Sequence, residues 1–337
     1  MSATGVSFGR KLLFALGFVL FAHVSVVAQT APAPINPTAQ SVKEAQVLEA
    51  LKSGATVSGR ISIPDERAAN LMQPGRDWRA FNQETLPRIG GFAVLGMLAG
   101  LTLFYLLRGR IRIEAGPSLD RITRFTSIDR FAHWLSATSF MMLALTGANV
   151  TFGKTLLLPV MGPEAFSEWA HYAKVTHNYV GFAFMLGVAL VFLVWVKDNI
   201  PDATDLRWFL AGGGLVGKGH PPAKRFNGGQ KIVFWVVVLG GAMMSLSGWH
   251  LIFPVGHSIT DMQWHATIHG AVAFIMLAIM LAHAYIGSVG MEGAFDAMSS
   301  GEVDLNWAKE HHSLWVKEEM ARKGQSRISS GAAQPAE

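Results

Sequence analysis

Five stretches of this chain carry no Asp, Glu, Lys or Arg: Ile89–Leu107, Phe131–Val150, Val175–Val196, Ile232–Phe253 and about Thr267–Val289. A hydrocarbon layer about 30 Å thick is crossed by about 20 apolar residues in a helix, so each stretch is long enough to span it. Inside hydrocarbon an isolated apolar segment satisfies its backbone as a helix. The expected fold is therefore an all-α integral membrane protein. Only 15% of residues are charged, against about a quarter in soluble domains. The pI near 9.5 would suit a nucleic-acid binder, but the basic residues sit in loops between apolar runs. Topology explains them, and no nucleic acid is expected.

Arg10 and Lys11 precede an apolar run, Leu12 to Ala28, that ends in small residues and Gln-Thr-Ala-Pro-Ala-Pro. That pattern reads as a signal peptide over 1–28, with an uncleaved anchor as the alternative. Residues 29–88 read as an exported segment, proline-rich at first, with a short strand expected over Val57 to Ile63. Residues 89–107 form a first transmembrane helix whose Gly90, Gly91, Gly96 and Gly100 suit close helix contact. A four-helix unit is expected over 108–291 and a tail over 292–337.

Lys and Arg orient the chain. Segments 108–130 and 197–231 carry six each and the tail five, while loop 151–174 has two and loop 254–266 none. The rich segments belong in the cytoplasm. The seven basic residues in 29–88 pull the other way, but a long exported segment obeys the rule weakly. The expected location is a bacterial inner membrane, with the C-terminus cytoplasmic and the N-terminal segment exported.

Histidines fall inside these spans at two depths. His269 and His283 are fourteen residues apart on one expected helix, close to four turns and about 21 Å along its axis. His133 follows Arg130 at an inner end, and His177 follows Lys174 at an outer end. Depth pairs His133 with His283 and His177 with His269. Four histidines at two matched depths suggest two haems b, each iron held by one pair. Filling both axial positions excludes oxygen chemistry and implies electron transfer. Taken singly, interfacial histidines also snorkel or hydrogen-bond backbone.

His265 rivals His269, one turn away, and His171 rivals His177. His220, His250, His257, His311 and His312 read as solvated. Met141, Met142, Met243, Met244, Met276 and Met280 read as packing. Trp134, Trp195, Trp235, Trp249 and Trp264 read as an aromatic belt. With no cysteine in the chain, thiolate-bound clusters must lie on partner subunits.

Phe131-Ala132-His133-Trp134 after Ile128-Asp129-Arg130, His177 followed by Gly181, and His269 with His283 resemble the membrane cytochrome b (gamma) subunit of respiratory formate dehydrogenases. So do Asn199-Ile200-Pro201-Asp202, Asn227-Gly228-Gly229-Gln230-Lys231 and Trp307-Ala308-Lys309-Glu310-His311-His312, over roughly 124 to 320. The resemblance implies a four-helix dihaem core to which this chain adds one N-terminal transmembrane helix. It implies an iron–sulfur (beta) subunit, a molybdopterin or tungstopterin catalytic (alpha) subunit, and membrane quinone as acceptor. The quinone would lie beside His283, with Asn227 and Gly229 lining its site; formate oxidation would lie on a partner. Alternatives are the equivalent subunit of a nickel–iron hydrogenase or other respiratory oxidoreductase, a histidine-based membrane transporter, and a haem-free anchor. A transporter would be expected to place acidic partners in the membrane, and all five spans lack Asp and Glu.

Overall fold

The computed structural model describes residues 49, 50, 52–54, 76–214 and 219–331, with backbone alone for 76 and 323–331. The expected signal peptide and the strand over Val57 to Ile63 lie outside the described residues. Contacts divide the chain into Met1–Gln73 and Pro74–Glu337. In the first unit the described residues include helical positions 49, 50, 52 and 53.

The second unit holds five helices long and apolar enough to cross a membrane: α1 (Asp77–Arg108), α2 (Ser127–Leu156), α3 (Pro163–Asn199), α5 (Gly228–Ile252) and α6 (Ile259–Gly290). Between them α4 (Ala203–Leu210) is short, and α7 (Asp296–Ser299), α8 (Leu305–His311) and α9 (Ser313–Gly331) follow α6. The helices run past the charge-free spans into polar sequence. α1 starts twelve residues before Ile89, where Arg88 reaches Glu84 at 3.4 Å and Arg79 reaches Gln83 at 3.1 Å, one turn apart on its surface.

Capping boxes start the later helices. Thr126 with Asp129, Asp202 with Asp205, Asn227 with Gln230 and Ser258 with Asp261 exchange side-chain and backbone hydrogen bonds at the starts of α2, α4, α5 and α6. Each satisfies two N–H groups that the helix cannot.

α2 packs along α3, α5 against α3 and α6, and α1 against α6. Small residues set the closest approaches. A Cβ at Gly187 would meet Ser136 Oγ at 2.6 Å, at Gly241 Val188 at 2.7 Å, and at Gly240 Met276 Sδ at 2.9 Å. In α1, Gly90 lies against Phe274, whereas Gly96 and Gly100 have nothing within 4 Å. Met276 is 1% exposed, in keeping with its reading as packing. Phe92, Leu106, Leu145, Tyr179 and Leu193 point outward, as lipid-facing residues do.

One feature departs from pure helix. β1 (Arg121–Thr123) pairs antiparallel with β2 (Glu302–Asp304), and Ile111 bridges Met291, tying the loop after α1 to the tail. These segments close over the bundle at what is here called the basic end, where Arg- and Lys-rich loops gather. The far end carries the α2–α3 and α5–α6 connections.

Candidate functional site

α6 carries His269 toward the far end and His283 toward the basic end. The ring centroid of His269 lies 6.2 Å from that of His177 on α3. That of His283 lies 6.2 Å from that of His133 on α2. The sequence rivals go elsewhere: His265 stacks on His250 at 4.1 Å, and His171 lies against Tyr172 at 5.5 Å.

The far-end pair is held by hydroxyls. Thr146 Oγ1 stands 2.8 Å from His177 Nδ1, and Ser247 Oγ 2.9 Å from His269 Nδ1. Each hydroxyl donates its own hydrogen back to its helix, Thr146 to the Met142 carbonyl at 2.8 Å and Ser247 to that of Met243 at 2.7 Å. The oxygen is left to accept, so Nδ1 carries the ring hydrogen and Nε2 keeps its lone pair. The next residue in each case is glycine. A Cβ at Gly147 would meet His177 Cε1 at 3.4 Å, and one at Gly248 would meet His269 Cε1 at 3.2 Å. These four residues were missed from sequence. Their signal is a Thr-Gly and a Ser-Gly dipeptide, each inside a charge-free span.

The basic-end pair has no such partner: His133 Nδ1 is buried and unpartnered among the described residues. The Trp134 and Trp195 rings lie against it, at 5.2 and 6.5 Å between centroids. Phe125, Trp195, Phe226, Phe234, Val303, Trp307 and Trp315 belong to one buried cluster. Asp129, 3% exposed, accepts from Trp195 Nε1 and from Arg225 at 3.2 Å. Trp134 donates to Met298 O at 2.9 Å and Trp235 to Asn199 O at 3.0 Å. Three of the five tryptophans read as a belt thus belong to this cap; Trp249 and Trp264, 46% and 63% exposed at the far end, stay outside it.

The tail is also corrected. His312 is 0% exposed and its Nδ1 meets Lys224 O at 2.7 Å, so it is buried, not solvated. Burial, with Arg124 nearby, holds its pKa well below the usual range, and burial followed by His220 and Arg124 lowers His311 to about 4.

Asn227 and Gly229 stand at the start of α5, against α4. Asn227 Oδ1 accepts from Gln230 N at 2.9 Å, and Gln230 Oε1 also takes Arg124 at 3.2 Å. A Cβ at Gly229 would meet Trp208 at 3.1 Å. Lys231, 4% exposed, reaches Asp205 at 2.8 Å, Ile200 O at 3.0 Å and Asp202 at 3.2 Å, joining two of the sequence motifs. Burial opposes the charge of Asp202, yet hydrogen bonds from Lys224, Thr204 and Lys231 hold its carboxyl well below the usual range.

The profile of the prokaryotic cytochrome b561 family matches residues 124–301. The chain is 28% identical over 209 residues to the cytochrome b556(Fdn) subunit of the nitrate-inducible formate dehydrogenase of Escherichia coli K12, covering 58% of this chain and 91% of that one. It is 26% identical over 204 residues to the cytochrome b556(fdo) subunit of formate dehydrogenase from the same organism, covering 59% and 93%. Against the formate dehydrogenase cytochrome b556 subunit of Haemophilus influenzae the identity is 29% over 212 residues, covering 60% and 85%.

Proposed function

The chain belongs to the prokaryotic cytochrome b561 family, multi-pass membrane cytochromes that bind haem b, and from that premise we propose that it is the dihaem membrane subunit of a formate dehydrogenase. In this reading it anchors the complex and passes electrons from an iron–sulfur subunit to membrane quinone. Formate is oxidised on a molybdopterin or tungstopterin partner subunit. The chain sits in the bacterial inner membrane with its C-terminus cytoplasmic.

The observation that carries the reading is the pair of 6.2 Å centroid separations. A metal–imidazole bond is about 2.0–2.1 Å, and a ring nitrogen lies about 1.1 Å from its centroid, so two rings on opposite sides of one ion stand about 6.2–6.4 Å apart. Both pairs fit. The far-end pair also presents Nε2 lone pairs fixed by its hydroxyls, with glycines where a side chain would crowd the rings. His177 and His269 would hold one haem iron, and His133 and His283 the other. When bound, each haem would supply a reversible one-electron couple.

The protein's own groups then have distinct work. Thr146 and Ser247 fix ring orientation and ligand basicity at the far end. At the basic end the buried cap excludes water around His133. Quinone would lie beside His283, near Asn227 and Gly229. Because Asn227 Oδ1 is committed to its helix cap, its NH2 is the group to meet a quinone carbonyl. Gly229 would keep Trp208 close and the surface flat.

Haem analysis of the purified chain tests the core of this: two haems b are expected, and one or none rejects it. In the intact complex formate should reduce both. Asn227→Ser keeps a cap acceptor and removes the NH2, so reoxidation by quinone should slow about tenfold, about 1.4 kcal/mol in the barrier. A wild-type rate would move the quinone site elsewhere. Reduction by hydrogen in place of formate would favour a hydrogenase complex.

A further inference from the structure

We propose that His250, His257 and His265 form a non-haem metal site at the far end, taking one divalent ion of the zinc and copper class. One ring nitrogen from each lies within 4.8 Å of the others. The His250 and His265 rings stack at 4.1 Å with planes 6° apart, and the His257 ring stands 4.6 Å from His250 at 77°. None of the three meets the His177–His269 pair, and the proposal does not depend on the haem reading.

Each ligand has a local reason for its place. His250 is in the last turn of α5, and its Nδ1 lies 2.7 Å from the Leu246 carbonyl. That contact makes Nδ1 the protonated nitrogen and turns Nε2 outward with its lone pair, the arrangement that metal-ligating histidines use. His257 closes a turn in which its N–H donates to Pro254 O at 3.2 Å. Gly256, the third residue of that turn, has φ +88°, which a side chain would resist, so glycine there fixes where His257 projects. His265 is on the second turn of α6, one turn before His269.

One oxygen of the nearby carboxylate is committed to the helix cap. Asp261 accepts from Ser258 N at 3.0 Å and Ser258 Oγ at 2.7 Å in the α6 capping box. No Asp261 oxygen joins the cluster of donor atoms within 4.8 Å, so the donor set is three imidazoles. Nitrogen donors of this kind select zinc, copper or nickel over magnesium and calcium. Three histidines and an open fourth position form a known zinc arrangement. Nitrogens on one tetrahedral ion stand about 3.3 Å apart, so on binding the rings would turn until their nitrogens converge. The ion would staple α5 to α6 at the far end.

The test uses the full chain in detergent, stripped with chelator, with zinc as the probe. We expect one zinc per chain beyond the haem iron by elemental analysis and calorimetry, with an X-ray absorption edge showing three imidazole nitrogens. His257→Ala and His265→Gln should each weaken binding by about tenfold or more, at unchanged haem content. His257→Cys should retain zinc through a thiolate. Equal zinc binding by wild type and the His250→Ala/His257→Ala/His265→Ala variant would overturn the site. So would an edge dominated by oxygen donors, or a His257→Ala variant with wild-type affinity.

Discussion

At the basic end, His133 and His283 sit beneath loops and tail that fold into a buried layer of aromatic rings, ion pairs and a two-stranded ladder. At the far end, His177 and His269 have the same 6.2 Å separation beneath short connections, where Trp249 and Trp264 are exposed. Equal geometry is thus reached by different means. The basic end positions its rings from outside the helices, by packing. The far end positions them from within, through Thr146, Gly147, Ser247 and Gly248 on the facing helices. Residues that orient a ring from within its own bundle need no cap.

The largest expected effect separates the two sites outright. His177→Ala or His269→Ala should remove the far-end haem alone, and His133→Ala or His283→Ala the basic-end haem alone. Pyridine haemochrome analysis with redox titration distinguishes these. Full two-haem content in any variant rejects that residue as a ligand.

Next comes the cap. Asp129 and Asp261 occupy the same position in equivalent capping boxes, but Asp129 also holds buried Trp195 and Arg225. Asp129→Ala removes the α2 capping box and the acceptor of buried Trp195, while Arg225 keeps Asp198 at 2.6 Å, and should cost about 1–3 kcal/mol. Asp261→Ala removes an exposed cap and should cost far less. Thermal denaturation of both in one detergent gives the comparison, and similar losses would mean the basic end is no better packed than the far end.

The spans and the depth pairing were legible because helix periodicity and Lys/Arg bias are one-dimensional signals. The cap was not. Its bonds join residues about a hundred positions apart, such as Arg124 with Gln230 and Arg225 with Asp129, so its loops read as polar connectors. Trp134, Trp195 and Trp235 look like a lipid belt until the tail folds over them. His312 looks solvated for the same reason. His250, His257 and His265 were each seen, but a turn built on Gly256 brings His257 to the other two, and no helical spacing encodes that.

Acidification should loosen the basic end. The His311 pKa falls from about 6.5 unfolded to about 4 folded, with His312 also depressed, so the unfolded cap binds more protons between these values. The stabilising contribution is full above about pH 6.5 and is lost as pH drops toward about 4. Hydrogen exchange of α8 amides should accelerate through that window. A flat profile would mean that burial of these rings does not hold the cap.

The smallest effect probes the far end's own device. Thr146→Val keeps the shape of the side chain and removes the oxygen that accepts from His177 Nδ1. A ring whose N–H is hydrogen-bonded is a stronger donor to its metal and favours the oxidised form. Losing that bond, worth about 0.5–1.5 kcal/mol, should raise the far-end haem potential by about 20–65 mV, since a one-electron couple moves about 59 mV for each factor of ten. Ser247→Ala should do the same through His269. The basic-end potential should not move in either variant, because His133 Nδ1 has no hydroxyl to lose among the described residues. Spectroelectrochemical titration of the two haems reads both at once. If both potentials shift together, the hydroxyls act through the packing of the whole bundle, and the distinction between an end held from within and an end held from outside fails.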